Sequence, residues 1–346
     1  MKIDNYIIDN NSEPFIIGEA GINHNGEIDK AFRMIEVAKD TGCNAVKFQT
    51  FKAEEFINDA TLTYSYVSQG KEVTESQLEM FKRYEFTKDE WYKIKDYCDK
   101  QDIMFLSTPQ NISDLNLLLE IGIPAIKVGS DDFNNIPLLK EYKKTKLPLI
   151  LSCGMSYLHE IYNVLNIFEN NYPLILMLCT SQYPTPYKDV NIAKLKTLEY
   201  WFGNKVILGF SDHTQGSLPA SMAVALGAKV FEKHFTLDNS LPGCDHWFSE
   251  NYNTLAEWVE KIRWSYLTFG NSEVEPTKKE KEMKLIARRS IVALEDITVG
   301  EKLTMDNIGL RRPGTGIPAE KYEKILGSWV IKKINKGKLI EWSDFY

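Results

Sequence analysis

Short apolar runs recur along this chain with helical segments between them. They occupy residues 15–20, 45–48, 103–106, 125–128, 147–151, 174–178, 206–210 and 229–231. Each reads as a buried strand. Between them, residues 30–41, 88–100, 112–121, 159–170 and 218–229 space their apolar positions nearer 3.6 than 2, the helical period. Eight such strand–helix units in about 270 residues predict an α/β chain folded as a (β/α)8 TIM barrel. An open doubly wound sheet would carry a glycine-rich first turn, which the Gly18/Gly21/Gly26 spacing does not make.

The pattern changes after Gly270. Residues 271–287 are polar and charged, contain Pro276, and read as a linker with a helical end. Residues 288–346 hold short strand-like runs with turn signals at Val299-Gly300, Pro313-Gly314-Thr315-Gly316 and Lys336-Gly337-Lys338. A catalytic barrel over 1–270, a linker, and a small β-rich domain over 288–346 are therefore expected.

Composition narrows the class. A chain of 346 residues with 43% hydrophobic content can bury one large core and a small second one. The formal charge of −7 disfavours a nucleic-acid-binding face. No run approaches the eighteen or so apolar residues that span a bilayer. The start, Met1-Lys2-Ile3-Asp4-Asn5, lacks a charged-then-apolar signal pattern. Cys43, Cys98, Cys153, Cys179 and Cys244 are odd in number and scattered, which predicts reduced thiols in a cytoplasmic protein.

A barrel places its chemistry at the C-terminal ends of its strands. Those ends carry Glu19 with Asn23-His24-Asn25, Lys47 with Gln49, Ser107-Thr108, Lys127 with Ser130, Ser152, Thr180-Ser181, Ser211-Asp212-His213 and Glu232-Lys233-His234. Crossover connections are right-handed and set neighbouring strand ends side by side, so His213 and His234 converge. Beside Asp212 and Glu232, the two imidazoles suggest a divalent-metal site. Lys47 and Lys127, ringed by Thr108, Ser130, Ser152 and Ser211, suit a phosphate or carboxylate. A Schiff base on either lysine is the other use of such residues. Glu19 can orient water or shuttle a proton, or simply pair with Lys47. Asp245-His246, after Pro242-Gly243, falls in a loop placed to grip substrate, and Tyr183-Pro184-Thr185-Pro186-Tyr187 holds an aromatic over the pocket.

These residues, taken in order, resemble the sialic acid synthase family, the N-acetylneuraminate, legionaminic and pseudaminic acid synthases. The resemblance rests on Glu19-Ala20-Gly21-Ile22-Asn23-His24-Asn25-Gly26, Val46-Lys47-Phe48-Gln49-Thr50, Leu106-Ser107-Thr108-Pro109, Ile126-Lys127-Val128-Gly129-Ser130, Leu151-Ser152-Cys153-Gly154-Met155, Tyr183-Pro184-Thr185-Pro186, Gly209-Phe210-Ser211-Asp212-His213-Thr214 and Glu232-Lys233-His234-Phe235. It implies condensation of phosphoenolpyruvate with an N-acylated amino-hexose, giving a nonulosonic acid and phosphate. The acceptor is expected to be a 2,4-diacetamido-trideoxyhexose ahead of N-acetylmannosamine.

By the same resemblance, His213 and His234 hold a divalent metal, Mn2+ first and Mg2+ or Co2+ as alternatives. Lys47, Thr108, Lys127, Ser130, Ser152, Ser181 and Ser211 contact phosphoenolpyruvate, and Glu19 handles the water or its protons. Gln49, Tyr183 and Asp245 contact the acceptor sugar. Residues 288–346 resemble the antifreeze-like SAF domain, which in the family covers the partner's barrel in a domain-swapped homodimer. Arg312 matches the arginine that reaches the partner's sugar. A lysine-dependent nonulosonate lyase or aldolase, and a non-catalytic sugar-binding relative, are the competing readings. The chain departs from the family pattern at Asp131-Asp132, Ser181 and Cys244, while Arg288-Arg289-Ser290 is nearer the legionaminic type.

Overall fold

The computed structural model describes residues 1–346, which divide into two compact units, Met1–Gly270 and Asn271–Tyr346. In the first unit, eight parallel strands form a nearly closed barrel: β1 (Phe15–Gly21), β2 (Ala45–Thr50), β3 (Met104–Pro109), β4 (Ile126–Val128), β5 (Leu149–Ser152), β6 (Leu174–Cys179), β7 (Ile207–Asp212) and β8 (Val230–His234). Hydrogen-bonded neighbours run β3-β2-β1-β8-β7-β6-β5-β4, leaving the seam between β3 and β4. Several strands extend past the apolar runs that announce them, because their C-terminal residues are polar. β8, for example, continues through Glu232-Lys233-His234.

Alternation along each strand sorts side chains into two cores. Outward residues such as Ile16, Val46, Phe105, Leu151, Leu176, Phe210 and Phe231 pack under the helices. Inward residues Phe15, Ile17, Ala45, Met104, Leu106, Ala125, Ile150, Ile175, Met177 and Val230 fill the barrel. At the N-terminal end this interior is joined by Ile3 and Ile8, from an antiparallel pairing of Lys2–Ile3 with Tyr6–Ile7. One step further along the same inward series come Glu19, Lys47, Thr108, Lys127, Ser152, Cys179, Ser211 and Glu232, all lining one cavity. The barrel is thus apolar below and ionic above.

The surrounding helices follow ordinary capping rules. Lys88–Lys100 starts at Thr87, whose side chain and that of Glu90 form a capping box, and it buries Trp91, Ile94 and Cys98 on one face. The helix expected over 159–170 is shorter, Leu158–Leu165. One feature was not anticipated. Between β2 and β3 the chain inserts helix Ala53–Phe56, a hairpin of Thr63–Ser68 with Lys71–Ser76, and helix Gln77–Lys82. The hairpin turns at Gln69-Gly70, both with positive φ (52° and 75°), a mirror-image turn that a Gln-Gly pair signals weakly.

The second unit has its own core of Ile291, Ala293, Ile297, Leu303, Ile308, Ile317, Ile325, Val330, Ile334 and Ile340. Its regular sheet is one pair, Ser290–Ala293 with Ile308–Arg311, supplemented by isolated bridges. Residues 278–287, in the stretch read as a linker, form helix Lys278–Ala287 behind a Thr277/Glu280 capping box. All five cysteines are buried and unpaired. No helix is long and apolar enough to cross a membrane.

His24, in the turn after β1, is a core residue. It is fully buried, stacks on Phe86 at 4.3 Å between centroids, and its Nδ1 accepts from the Gly26 amide at 3.0 Å. Burial, then repulsion from His246, lowers its pKa from 6.5 to about 3. The unfolded chain therefore binds a proton here that the folded chain does not, between pH 6.5 and about 3. Stability held above pH 6.5 is lost as the pH falls through that window. His24→Asn retains an acceptor for Gly26 and removes the titration. Urea unfolding at pH 7 and pH 5 should show the wild type losing about 2 kcal/mol more than the variant over that step.

Candidate active site

The ionic top of the barrel opens into a cavity of about 910 Å3. Its floor is a buried four-membered charge cluster. Lys47 Nζ lies 2.8 Å from Glu19 Oε1 and 3.8 Å from Glu232 Oε2. Lys127 Nζ lies 3.6 Å from Glu232 Oε1 and donates to Ser152 Oγ at 2.8 Å. Lys47 also donates to Thr108 Oγ1 at 3.2 Å, Ser211 Oγ to Glu232 Oε1 at 3.2 Å, and Gln49 Nε2 to Glu19 Oε1 at 3.4 Å. None of the four charged residues is more than 5% exposed.

Their environments push the two carboxyls apart. Burial raises the Glu19 pKa despite Lys47 beside it. Burial also pushes Glu232 up, but Lys127 and Lys47 outweigh it and hold the group below the ordinary carboxylate range. Glu232 is thus the permanent anion of the cluster and Glu19 the group poised to exchange a proton.

Around Lys127 the backbone closes in. Ser130 Oγ accepts from the Gly154 amide at 3.0 Å, and a Cβ at Gly154 would come within 2.6 Å of that hydroxyl and 2.5 Å of Ser181 Oγ. Only glycine lets both hydroxyls approach. Two lysines, the hydroxyls and this loop form a cradle for a small, multiply charged anion. Of the five buried side-chain polar atoms with no partner in the protein, four face this cavity: Glu19 Oε2, Glu232 Oε2, Ser181 Oγ and His234 Nδ1. Buried polar groups are seldom left unbonded without a ligand to receive them.

The histidines stand at the rim above the lysines. Their ring centroids are 5.4 Å apart. His213 Nδ1 donates to the Thr180 carbonyl at 2.8 Å, which fixes the tautomer and leaves Nε2 as a lone-pair donor. Cys179 Sγ, expected from the sequence only as a reduced thiol, sits 3.9 Å from the same Nδ1. His234 is held well below the usual imidazole range by burial and by His213, so it is neutral at physiological pH. Its Nδ1 lies 3.9 Å from Asp245 Oδ2, a carboxyl that burial raises to about 6. Tyr183 covers His213 with centroids 4.2 Å apart. No group of three or more His, Cys, Asp and Glu side chains is arranged around a common ion position.

Every barrel residue that the resemblance assigns to substrate or metal lines one cavity, whereas His246 is bonded to Thr236 and Asn25 outside it; Arg312 is exposed on the second unit. Two expectations are corrected. Asp212 does not join the histidines: it alternates outward on β7, and its carboxylate is taken up by Lys233, Thr214 and Trp258. Glu232 points inward but lies one step below His234, between the lysines rather than beside an ion on the imidazoles. Of the aspartates at 131 and 132, only Asp131 reaches the cavity, while Asp132 accepts from Asn135. Cys244 packs with Ile22, Phe51, Met80 and Tyr84. The insertion after β2 adds a wall that sequence reasoning missed, built on Phe51, Phe56 and Phe81, whose rings meet edge to face at 5.2 to 5.8 Å.

Fold and cavity together define a (β/α)8-barrel protein whose strand ends gather two buried lysines, two glutamates and a pair of histidines around one cavity. The chain belongs to the NeuB family, which it matches over residues 34–274, and residues 288–345 match the SAF domain. It is 35% identical to the N,N'-diacetyllegionaminic acid synthase of Legionella pneumophila, over 95% of this chain and 93% of that one. It is 31% identical to a pseudaminic acid synthase of Campylobacter jejuni over the full length of both. The N-acetylneuraminic acid (sialic acid) synthetase structure from Leptospira borgpetersenii superposes with a TM-score of 0.72 at 34% identity, covering 82% of this chain and 94% of that one.

The charge cluster makes opposite predictions for its two signs. Lys127→Met should weaken inorganic phosphate binding at least about tenfold by calorimetry, since it removes a buried charged partner. Glu232→Gln keeps a hydrogen-bond acceptor for Ser211 and removes the competing negative charge, so phosphate should bind as well or better. Equal losses in both variants would mean that the lysines do not form the anion site.

Proposed function

We propose that this chain condenses phosphoenolpyruvate with an N-acylated amino-hexose, releasing phosphate and forming a nonulosonic acid. The observation that carries the proposal is the meeting, in one cavity, of a two-lysine anion cradle and two imidazoles with free lone pairs. Relatives named as legionaminic and pseudaminic acid synthases support it. Lys47, Thr108, Lys127, Ser130, Ser152, Ser181 and Ser211 hold the phosphate and carboxylate of phosphoenolpyruvate. Gln49, Tyr183 and Asp245 take the sugar. Arg312 is assigned to the same acceptor within a domain-swapped homodimer.

The residues fit a divalent ion, with Mn2+ the first candidate and Mg2+ or Co2+ behind it. His234, held neutral and with Nδ1 buried and unpartnered, is a suitable donor, and the bond from His213 Nδ1 to the Thr180 carbonyl leaves His213 Nε2 as the second. When bound by His213 and His234, such an ion supplies polarisation of the acceptor aldehyde. The remaining work falls to the protein. The cradle orients C3 of phosphoenolpyruvate toward the aldehyde carbon, and the new C–C bond forms as the carbonyl electrons move to oxygen, which takes the proton held by Glu19. C2 becomes cationic above the ionised Glu232, whose fixed charge stabilises it. Water adds at C2 and gives a proton to Glu19. The C2–O bond to phosphate then breaks as the C2 hydroxyl passes its proton to the departing phosphate and becomes the ketone.

The aromatic wall of Phe51, Phe56 and Phe81, extended by Ile57 and Leu62, favours an acceptor with apolar substituents. A 2,4-diacetamido-2,4,6-trideoxyhexose, with a C6 methyl and two acetyl methyls, matches it better than N-acetylmannosamine. The second reading is a Schiff-base lyase, favoured by one observation: burial, reinforced by Lys47, holds the Lys127 amine below the ordinary lysine range. Borohydride trapping with pyruvate labels a lysine in that case and none in a synthase.

The deciding assay is phosphate release from phosphoenolpyruvate with Mn2+ over a panel of N-acetylmannosamine, diacetamido-trideoxyhexoses and 6-phosphate sugars. Turnover with a diacetamido-trideoxyhexose, abolished by a chelator, is the expected result. His213→Ala or His234→Ala should abolish turnover without changing the circular dichroism, and full activity after metal stripping would remove the ion from the scheme. Arg312→Ala should raise the acceptor KM more than that of phosphoenolpyruvate, whereas equal rises would dissociate it from the sugar.

A further inference from the structure

On the outer side of the barrel wall, behind the histidine pair, lies a second buried charge cluster that does not line the cavity. Asp212 and Lys233 are register partners on β7 and β8. Both alternate outward, opposite to Ser211, Glu232 and His234. They are 1% and 2% exposed. The Lys233 ammonium directs its three protons to Asp212 Oδ2 at 2.9 Å, the Thr214 carbonyl at 2.6 Å and the Gly216 carbonyl at 3.0 Å. Glu250 Oε1 stands 3.3 Å from it. Asp212 is saturated as well, accepting from the Thr214 amide at 2.9 Å, Thr214 Oγ1 at 2.7 Å and Trp258 Nε1 at 3.0 Å.

These bonds hold backbone next to an imidazole. The Asp212–Thr214 bond closes a small ring with His213 at its centre. Lys233 then pins the carbonyls of Thr214 and Gly216. Glu250 gives its amide to the His234 carbonyl at 2.9 Å and accepts the Thr236 amide at 2.8 Å, so the residue facing Lys233 is also laced to the chain around His234. A buried ion cluster is a poor source of stability, since apolar packing of the same volume does as well. What it supplies is direction.

We propose that Lys233, Asp212 and Glu250 are positioning residues that set the spacing and orientation of His213 and His234 from behind the barrel wall. The inference rests on the reading of that pair as a divalent-metal site. Outer-shell partners of this kind change metal affinity ten- to hundredfold when altered.

Lys233→Met leaves two buried carboxylates without a counter-charge and risks failing to fold. The isosteric Asp212→Asn and Glu250→Gln variants of the full chain therefore carry the test. Mn2+ binding without substrate is read by paramagnetic resonance, the KM of phosphoenolpyruvate by phosphate release, and the ring separation by crystallography. The expected result is Mn2+ affinity weaker by about ten- to hundredfold with rings displaced from the 5.4 Å arrangement, and a phosphoenolpyruvate KM within about twofold of wild type. A general loss of integrity would raise both constants together, and that outcome, or wild-type Mn2+ affinity in both variants, overturns the inference. If the wild type itself takes up no Mn2+, the metal reading falls separately. The crystal structures then decide: displaced rings sustain the positioning role, and unmoved rings overturn it.

Discussion

Two ammonium groups buried over a hydrocarbon interior are the constraint on which the rest of this molecule turns. Lys47 and Lys127 sit immediately above the inward layer that includes Leu106, Ile150 and Met177, where an unpaired charge would be untenable. Glu19 and Glu232 make them tolerable, and breaking such a cluster at one member typically costs about 3–5 kcal/mol. The balance is incomplete by design of the geometry. Glu19 and Glu232 each keep one oxygen unpartnered, and Glu232 is shared between the lysines at 3.6 and 3.8 Å rather than committed to either. A site in this condition is neutral enough to fold and still receptive to an incoming anion.

The barrel was legible in the sequence because buried parallel strands are nearly continuous apolar runs, and all eight runs became strands. The ring of site residues was legible for a related reason: the fold delivers whatever follows each run to the same rim, so Lys47, Lys127, His213 and His234 converge without any local motif connecting them. Direction was harder to see. Asp212 and Glu232 look equivalent beside their histidines, yet one is an odd step and the other an even step along a strand. Counting two residues on from inward Val230 reaches Glu232, and two on from outward Phe210 reaches Asp212, which separates them.

What lay beyond reach belongs to irregular chain. The hairpin after β2 depends on two positive-φ residues, one of them a glutamine, and its strands carry Thr, Tyr, Ser, Lys and Glu rather than an apolar run. The aromatic wall draws on Phe51, Phe56 and Phe81, adjacent only after that insertion folds back. Likewise, Ile3 and Ile8 meet the barrel interior through a two-residue pairing that no periodicity reveals.

The separation between the barrel rim and the insertion after β2 also bears on which parts of the cavity can change independently. The lysines and glutamates of the cavity floor are strand-borne and interlocked, so each tolerates little change on its own. The aromatic wall hangs from a detour of the chain whose length and composition can drift without disturbing strand register. Substitutions in that detour can therefore reshape one wall of the cavity while the charge cluster on the barrel strands stays as it is.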